Sequence, residues 1–232
     1  MKIALLGDIH GNHLALHAVL KSAAGHGVEC LLVTCDLIGY YFWPKDVLEL
    51  LAPWNLHVVR GNHEEMISTV RSDPGALQGI ELKYGNGLRV ALESLSPTQL
   101  KWLENLPHPL RLELDGCEIL LCHGAPWDLD CYIYPDAGAA LMERCVSHGG
   151  DFVILGHTHH AFQKRCGRTM VVNPGSVGQP RDRKPGAHWS LLDTSTLEVT
   201  CLTEDYDISQ VVEYARTFQP AVPYLADVLC RK

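Results

Sequence analysis

Five short apolar runs in this chain end on the same kinds of residue. Ile3-Ala4-Leu5-Leu6 leads into Gly7-Asp8-Ile9-His10, and the run from Cys30 to Cys35 stops at Asp36. Leu56-His57-Val58-Val59 delivers Arg60-Gly61-Asn62-His63-Glu64. Cys117 to Cys122 stops at His123, and Asp151 to Leu155 stops at Gly156-His157-Thr158-His159. Runs of this length and continuity suit strands buried on both faces, as in a parallel sheet covered by helices. Leu14, Ala15, Ala18, Val19 and Ala23 approximate one apolar helix face over 12–25, and a second helix is expected near 45–52. Strand and helix in alternation define an α/β fold whose ligands gather where strands end. Asp8 and His10 are two residues apart, a spacing that at a strand end turns both side chains to one side, and His157 and His159 repeat it. Oxygen and nitrogen donors converging in this way suit a divalent transition metal.

The rest of the chain reads more plainly. Residues 65–95 suggest a helix, a loop around Ser72-Asp73-Pro74-Gly75 and a second helical stretch. Ser96-Pro97-Thr98-Gln99 is a capping box with proline at the first helical position, and that helix should stop before Pro107. Asp115-Gly116 between 110–114 and 117–122 marks a hairpin turn. A helix near 137–148, strands at 162–166 and 168–172, a hairpin at 187–202 and a helix near 207–217 complete the chain. Tyr40-Tyr41-Phe42-Trp43, just past Asp36, suits either a loop packed into the core or a pocket wall on which a ring could stack.

Composition removes several classes of function. With 232 residues, 47% of them hydrophobic, the chain can bury a sizeable core. Nineteen basic against 27 acidic residues leave a net charge of −8, so extended nucleic-acid binding is not expected. No apolar run approaches a membrane span, and the first is too short for a signal peptide, so a cytoplasmic protein is expected. Nine cysteines without a CxxC pair read as reduced thiols, with Cys35 and Cys122 as small strand residues facing the core.

Asp8-x-His10, Asp36, Gly61-Asn62-His63-Glu64, His123 and Gly156-His157-x-His159 resemble, in order and approximate spacing, the calcineurin-like metallophosphoesterase superfamily. The resemblance runs from residue 2 to about 182. Asn173-Pro174-Gly175-Ser176-Val177-Gly178-Gln179-Pro180-Arg181 is similar to the small prokaryotic phosphodiesterase branch. It implies one metallophosphoesterase domain over 1–232, a four-layer αββα sandwich of two mixed β-sheets flanked by helices. It further implies two divalent ions, Mn, Fe, Ni, Co or Zn, bridged by Asp36. Asp8, His10 and His159 would complete one site; Asn62, His123 and His157 would complete the other. His63 would be the catalytic histidine, protonating the leaving oxygen after in-line attack by a metal-bridging hydroxide.

Two departures bear on the substrate. The Ser/Thr protein phosphatases place aspartate three residues and arginine four residues after the bridging aspartate, where this chain has Gly39 and Tyr40. Glycine and tyrosine cannot form a bidentate phosphate clamp, which weakens a phosphoprotein reading. Arg60 and Arg181 are the replacement candidates for phosphate contact. Cys35 stands where the superfamily usually has glycine. The expected activity is hydrolysis of small phosphodiesters, nucleotide-derived ones among them. The alternatives are a phosphomonoesterase, including a phosphoprotein phosphatase or dinucleoside polyphosphate hydrolase, and a scaffold like the retromer subunit of the same fold. That subunit lacks the catalytic histidine, whereas this chain keeps His63 and all seven expected ligands.

Overall fold

The apolar runs are strands, several of them shorter than the sequence suggests. The computed structural model describes residues 1–231. One sheet contains β1 (Lys2–Leu6), β2 (Cys30–Val33), β3 (Leu56–Val58), β9 (Ala187–Asp193) and β10 (Glu198–Glu204), in the order β10-β9-β1-β2-β3. β1, β2 and β3 are parallel, and the β9/β10 hairpin joins antiparallel to β1. The second sheet contains β4 (Leu110–Leu114), β5 (Cys117–Leu121), β6 (Phe152–Ile154), β7 (Phe162–Cys166) and β8 (Thr169–Asn173), ordered β4-β5-β6-β8-β7. Its central strands β5, β6 and β8 are parallel, and both edge strands are antiparallel.

Strand alternation shows how the layers stack. In β5, Cys117, Ile119 and Leu121 join the main core with Ile3, Leu5 and Leu32 of the first sheet. Leu120, with Cys122 just beyond the strand, faces the other way, against Met142 and Cys145 of α7 (Ala139–Val146). On the far side of the first sheet, α1 (His13–Gly25) buries Ala15, Leu16, Val19 and Ala23, next to α2 (Pro44–Leu51). The result is the αββα sandwich of two mixed sheets.

The connections carry two surprises. Residues 62–94 form three helices, α3 (Asn62–Ser72), α4 (Ala76–Tyr84) and α5 (Gly87–Ser94), because Gly85 at φ 77° ends α4. The aromatic loop divides between its two readings. Tyr41 and Phe42 are core, packed with α8 (Ser209–Phe218) and a short α9 (Tyr224–Asp227) that the sequence pattern did not announce, while the Tyr40 ring also reaches the site below. The capping box holds α6 (Pro97–Glu104): Ser96 Oγ accepts from Gln99 N at 3.2 Å, and Gln99 Oε1 accepts from Ser96 N at 2.9 Å. Asp115 and Gly116 both take positive φ, as the tight hairpin turn requires. The cysteines are free, five of them buried. Among the described residues, no helix is long and apolar enough to cross a membrane.

Candidate metal centre

The C-terminal ends of β1, β2, β3, β5 and β6 meet at one rim of the sandwich, and the polar residues after them converge there. They arrive by a different route from the strand alternation expected. β1 stops at Leu6 and β6 at Ile154, so the paired residues lie in turns beyond the strands. Asp8 (φ 52°), His10 (53°), Asp36 (49°), His157 (65°) and His159 (58°) all occupy the left-handed region. For residues with a Cβ such geometry costs about 1–3 kcal/mol each and persists only where surroundings enforce it. Here the turns enforce one another: Asp8 N donates to Cys35 O (2.8 Å) and His10 N to Asp36 O (2.7 Å).

Cys35 departs from expectation in part. It is buried in the main core as expected, but it lies past the end of β2 at φ 79°, and its thiol donates to Glu64 Oε2 at 2.9 Å. Glu64 is fully buried. Its Oε1 accepts from Leu37 N (2.9 Å) and Ile38 N (3.3 Å), and its Oε2 from Gly61 N (3.2 Å). One carboxylate thus pins the turn carrying Asp36 to the start of the helix carrying Asn62 and His63. Gly61 permits the approach, because a Cβ there would collide with Asp36 Oδ1. On the opposite side, Ser176 Oγ donates to Asp8 O (2.7 Å) and Asn173 Nδ2 to Gly156 O (2.7 Å), so these residues brace the turns.

The ring orientations are decided by carbonyls. His10 Nδ1 bonds Ile38 O (3.1 Å), His159 Nδ1 bonds Gln179 O (2.6 Å), and His123 Nδ1 bonds Thr34 O (2.7 Å). A carbonyl oxygen only accepts, so each Nδ1 carries the proton and each Nε2 presents a lone pair. Burial lowers the pKa of all three, His123 to about 4, so the rings are neutral at pH 7. The lone pairs point inward. His10 Nε2 and His159 Nε2 are 3.1 Å apart, and His123 Nε2 faces Asn62 Oδ1 and His157 Nδ1, each at 3.0 Å. Asp36 Oδ2 lies 3.7 Å from His10 Nε2 and 3.5 Å from His123 Nε2. Asp8, His10 and His159 form one potential ligand group, Asp36, His123 and His157 a second, and His10, Asp36 and His63 a third that overlaps both.

A model of the calcineurin-like phosphoesterase superfamily domain matches residues 1–197. The chain belongs to this superfamily. It is 28% identical to an uncharacterized protein of Methanocaldococcus jannaschii over 236 aligned positions, covering 91% of this chain and 90% of the relative. In structure it is similar to a hypothetical protein from Pyrococcus horikoshii OT3, with TM-score 0.85 and 24% identity over 98% of this chain and 97% of the other. A metallophosphoesterase from Sphaerobacter thermophilus superposes with TM-score 0.79 and 24% identity over 100% and 98%.

Members of the calcineurin-like superfamily use divalent metals, and the donors of this phosphoesterase fit such ions. Neutral imidazoles whose lone pairs face each other cannot share a hydrogen bond, and Asp8 Oδ2 is buried without a partner, while His157 Nε2 faces Asp130 Oδ1 at 3.3 Å. A cation held among them would satisfy lone pairs that the protein leaves opposed.

The other expected site residues fall out as follows. His63, buried, sits between the rings of His10 (4.8 Å), Tyr40 (4.9 Å) and Tyr84 (4.9 Å), and burial lowers its pKa well below the usual value. Its Nδ1 is buried and has no partner. Gly39 lies directly against it; a Cβ there would overlap the imidazole. Arg181 lines the crevice, with Nη2 donating to Tyr40 Oη (2.9 Å) and Gln179 Oε1 (3.0 Å), and with a buried Nε that has no partner. Arg60 is not brought to the crevice: Nη1 donates to Glu104 O (3.1 Å) and Nε pairs with Glu65 (3.0 Å). Sequence reasoning passed over Glu64 as a site organiser, although it directly follows His63. It also passed over Tyr84 and Tyr132, which line the crevice from segments without any pattern of chemistry.

Proposed function

We propose that this phosphoesterase hydrolyses small phosphodiesters with two divalent transition-metal ions, of the Mn, Fe, Ni, Co or Zn class. The observation that carries the reading is the place of Asp36 Oδ2, between His10 Nε2 and His123 Nε2 and so between the two ligand groups. Asp8, His10 and His159 would hold one ion, Asn62, His123 and His157 the other, with Asp36 shared. Such a pair supplies charge neutralisation and a nucleophile at neutral pH.

The remaining steps belong to the chain's own side chains. Arg181, with its unpartnered Nε, grips the phosphoryl oxygens, and Tyr40 Oη steadies the guanidinium. In effect the arginine missing at position 40 returns from another loop and leans on the tyrosine that replaced it. His63 donates a hydrogen bond to the departing ester oxygen, and passes it a proton only when the imidazole has taken up a second one. It does so without a carboxylate on Nδ1, since Gly39 occupies that side. Among the described residues lining the crevice, Arg181 is the one permanent cation. A single guanidinium suits the one negative charge of a diester better than the dianion of a monoester.

The test is hydrolysis of bis-p-nitrophenyl phosphate against p-nitrophenyl phosphate by metal-stripped protein reloaded with each ion. Faster, metal-dependent diester turnover is the expected result; preference for the monoester would move the assignment to a phosphatase. His63→Ala should keep its metals and lose most turnover, while Asp36→Ala should lose metal binding. Full activity of His63→Ala toward a poor leaving group would remove the general-acid role.

A further inference from the structure

Three of the four imidazoles expected to hold metal are steered by main-chain carbonyls, and the fourth is not. His10, His123 and His159 commit Nδ1 to an oxygen and present Nε2. His157 does the reverse: its Nδ1 turns inward, 3.0 Å from His123 Nε2, and its Nε2 turns away. Burial lowers its pKa to about 3, so at pH 7 the ring carries one hydrogen and must place it on one of two nitrogens. The choice matters to an ion. On Nδ1 the hydrogen would bond the His123 lone pair and close the second site; on Nε2 it leaves both lone pairs facing the ion.

What faces Nε2 is Asp130, whose Oδ1 lies 3.3 Å away. The loop between β5 and α7 that carries Asp130 is seated on the site itself. Gly124, next to His123, leaves room for it, since a Cβ there would come within 2.5 Å of Leu129 O. Ala125 N donates to Asp128 O (2.8 Å), Asp128 N to Ala125 O (3.1 Å), and Asp130 N to Asp128 Oδ1 (2.9 Å). The same loop lays the Tyr132 ring on His157, with centroids 4.0 Å apart.

We propose that Asp130 is a positioning residue of the second metal site, taking the Nε2 hydrogen of His157 so that Nδ1 is left as the donor to the ion. The proposal rests on the two-metal reading and adds a residue outside its seven ligands. A carboxylate behind a ligating imidazole fixes its tautomer and orientation and makes it a stronger donor, and loss of such a partner costs about 10–100-fold in metal affinity. Asp130 acts from the surface, where its side chain is 69% exposed and its charge need not be buried.

The test uses the full metal-stripped chain, with nitrogen NMR of its labelled histidine rings to read tautomers and Mn(II) titration to read affinities. In the wild-type protein His157 should carry its hydrogen on Nε2, unlike His10, His123 and His159, and two Mn(II) ions should bind. Asp130→Ala should move the His157 hydrogen toward Nδ1 and weaken one of the two ions by about 10–100-fold while leaving the other. Asp130→Asn, whose Oδ1 still accepts, should hold the tautomer and most of the affinity. Both variants keep the main-chain N–H that bonds Asp128, so a loss confined to Asp130→Ala is not a loss of the loop. A wild-type His157 with its hydrogen on Nδ1, or an Asp130→Ala variant that keeps either the tautomer or both affinities, would overturn the role. Fewer than two Mn(II) ions on the wild-type protein would remove the two-metal reading, and this role with it.

Discussion

His10 Nε2 and His159 Nε2 lie 3.1 Å apart, and each presents a lone pair because its Nδ1 hydrogen is committed to a carbonyl. Since burial keeps these imidazoles neutral, the proton that competes with a metal must sit elsewhere. Burial raises Asp36 to about 7, and burial with the neighbouring Asp36 raises Asp8 as well. The sign follows. Below pH 7 the metal-free Asp36 holds a proton that a cation must expel, so affinity falls as pH falls, by about tenfold per unit for each proton released. Titration with Mn(II) in buffers of different ionisation enthalpy should show proton release at about pH 6 that shrinks by about pH 8. Equal release at both would place the competing proton on other groups.

Glu64 offers a second test. Its carboxylate takes three backbone N–H donors and the Cys35 thiol. Glu64→Gln turns an acceptor into a donor facing other donors, an expected loss of about 2 kcal/mol, or roughly 4–8 °C in Tm for a chain of this size. Because Gly61 and Leu37 belong to the turns that present Asn62 and Asp36, metal affinity should fall with it. A melting temperature within a degree of wild type would show that these bonds do not hold the turns together.

Much of this could be read before the structure, for physical reasons that particular residues make plain. Buried parallel strands need unbroken apolar runs, so β1, β2 and β6 announced themselves, as did the Asp115-Gly116 turn and the Ser96/Gln99 cap. Asp8, His10, Asp36, His123, His157 and His159 stand at the ends of such runs, and the fold brings them together. What stayed hidden depends on contacts between distant segments. Nothing local told that Arg181 would lean on Tyr40 while Arg60 paired with Glu65, or that Tyr84 and Tyr132 would share a crevice. The left-handed turns were missed for another reason: few residues with a Cβ occupy that region, Asp and His more often than most, and tertiary contacts decide which of them do.

Gly39 should tolerate no side chain. Its φ of 89° already disfavours one, and a Cβ would overlap His63 Nδ1. Gly39→Ala should therefore push the imidazole out of line and reduce turnover by about a hundredfold or more, the usual scale of general acid catalysis. Metal content, measured by elemental analysis of the purified variant, should stay at the wild-type level, since His63 is not proposed as a ligand. Loss of metal together with activity would mean that Gly39 supports the Asp36 turn itself.

Arg181 separates substrate binding from metal chemistry. Its Nη2 is committed to Tyr40 Oη and Gln179 Oε1, leaving the buried Nε and the two Nη1 hydrogens as donors for phosphate. Arg181→Met removes a charge-assisted bond worth about 1.5–3 kcal/mol, so KM for a diester should rise by about 10–100-fold. Arg181→Lys should recover little, because an ammonium keeps the charge but cannot hold Tyr40 and phosphate at once in a planar fork. Tyr40→Phe, which only frees the guanidinium from its platform, should cost about 1 kcal/mol, or roughly fivefold in KM. The order methionine, lysine, phenylalanine in decreasing severity is the signature of a positioned arginine. An unchanged KM in Arg181→Met would take it out of phosphate recognition.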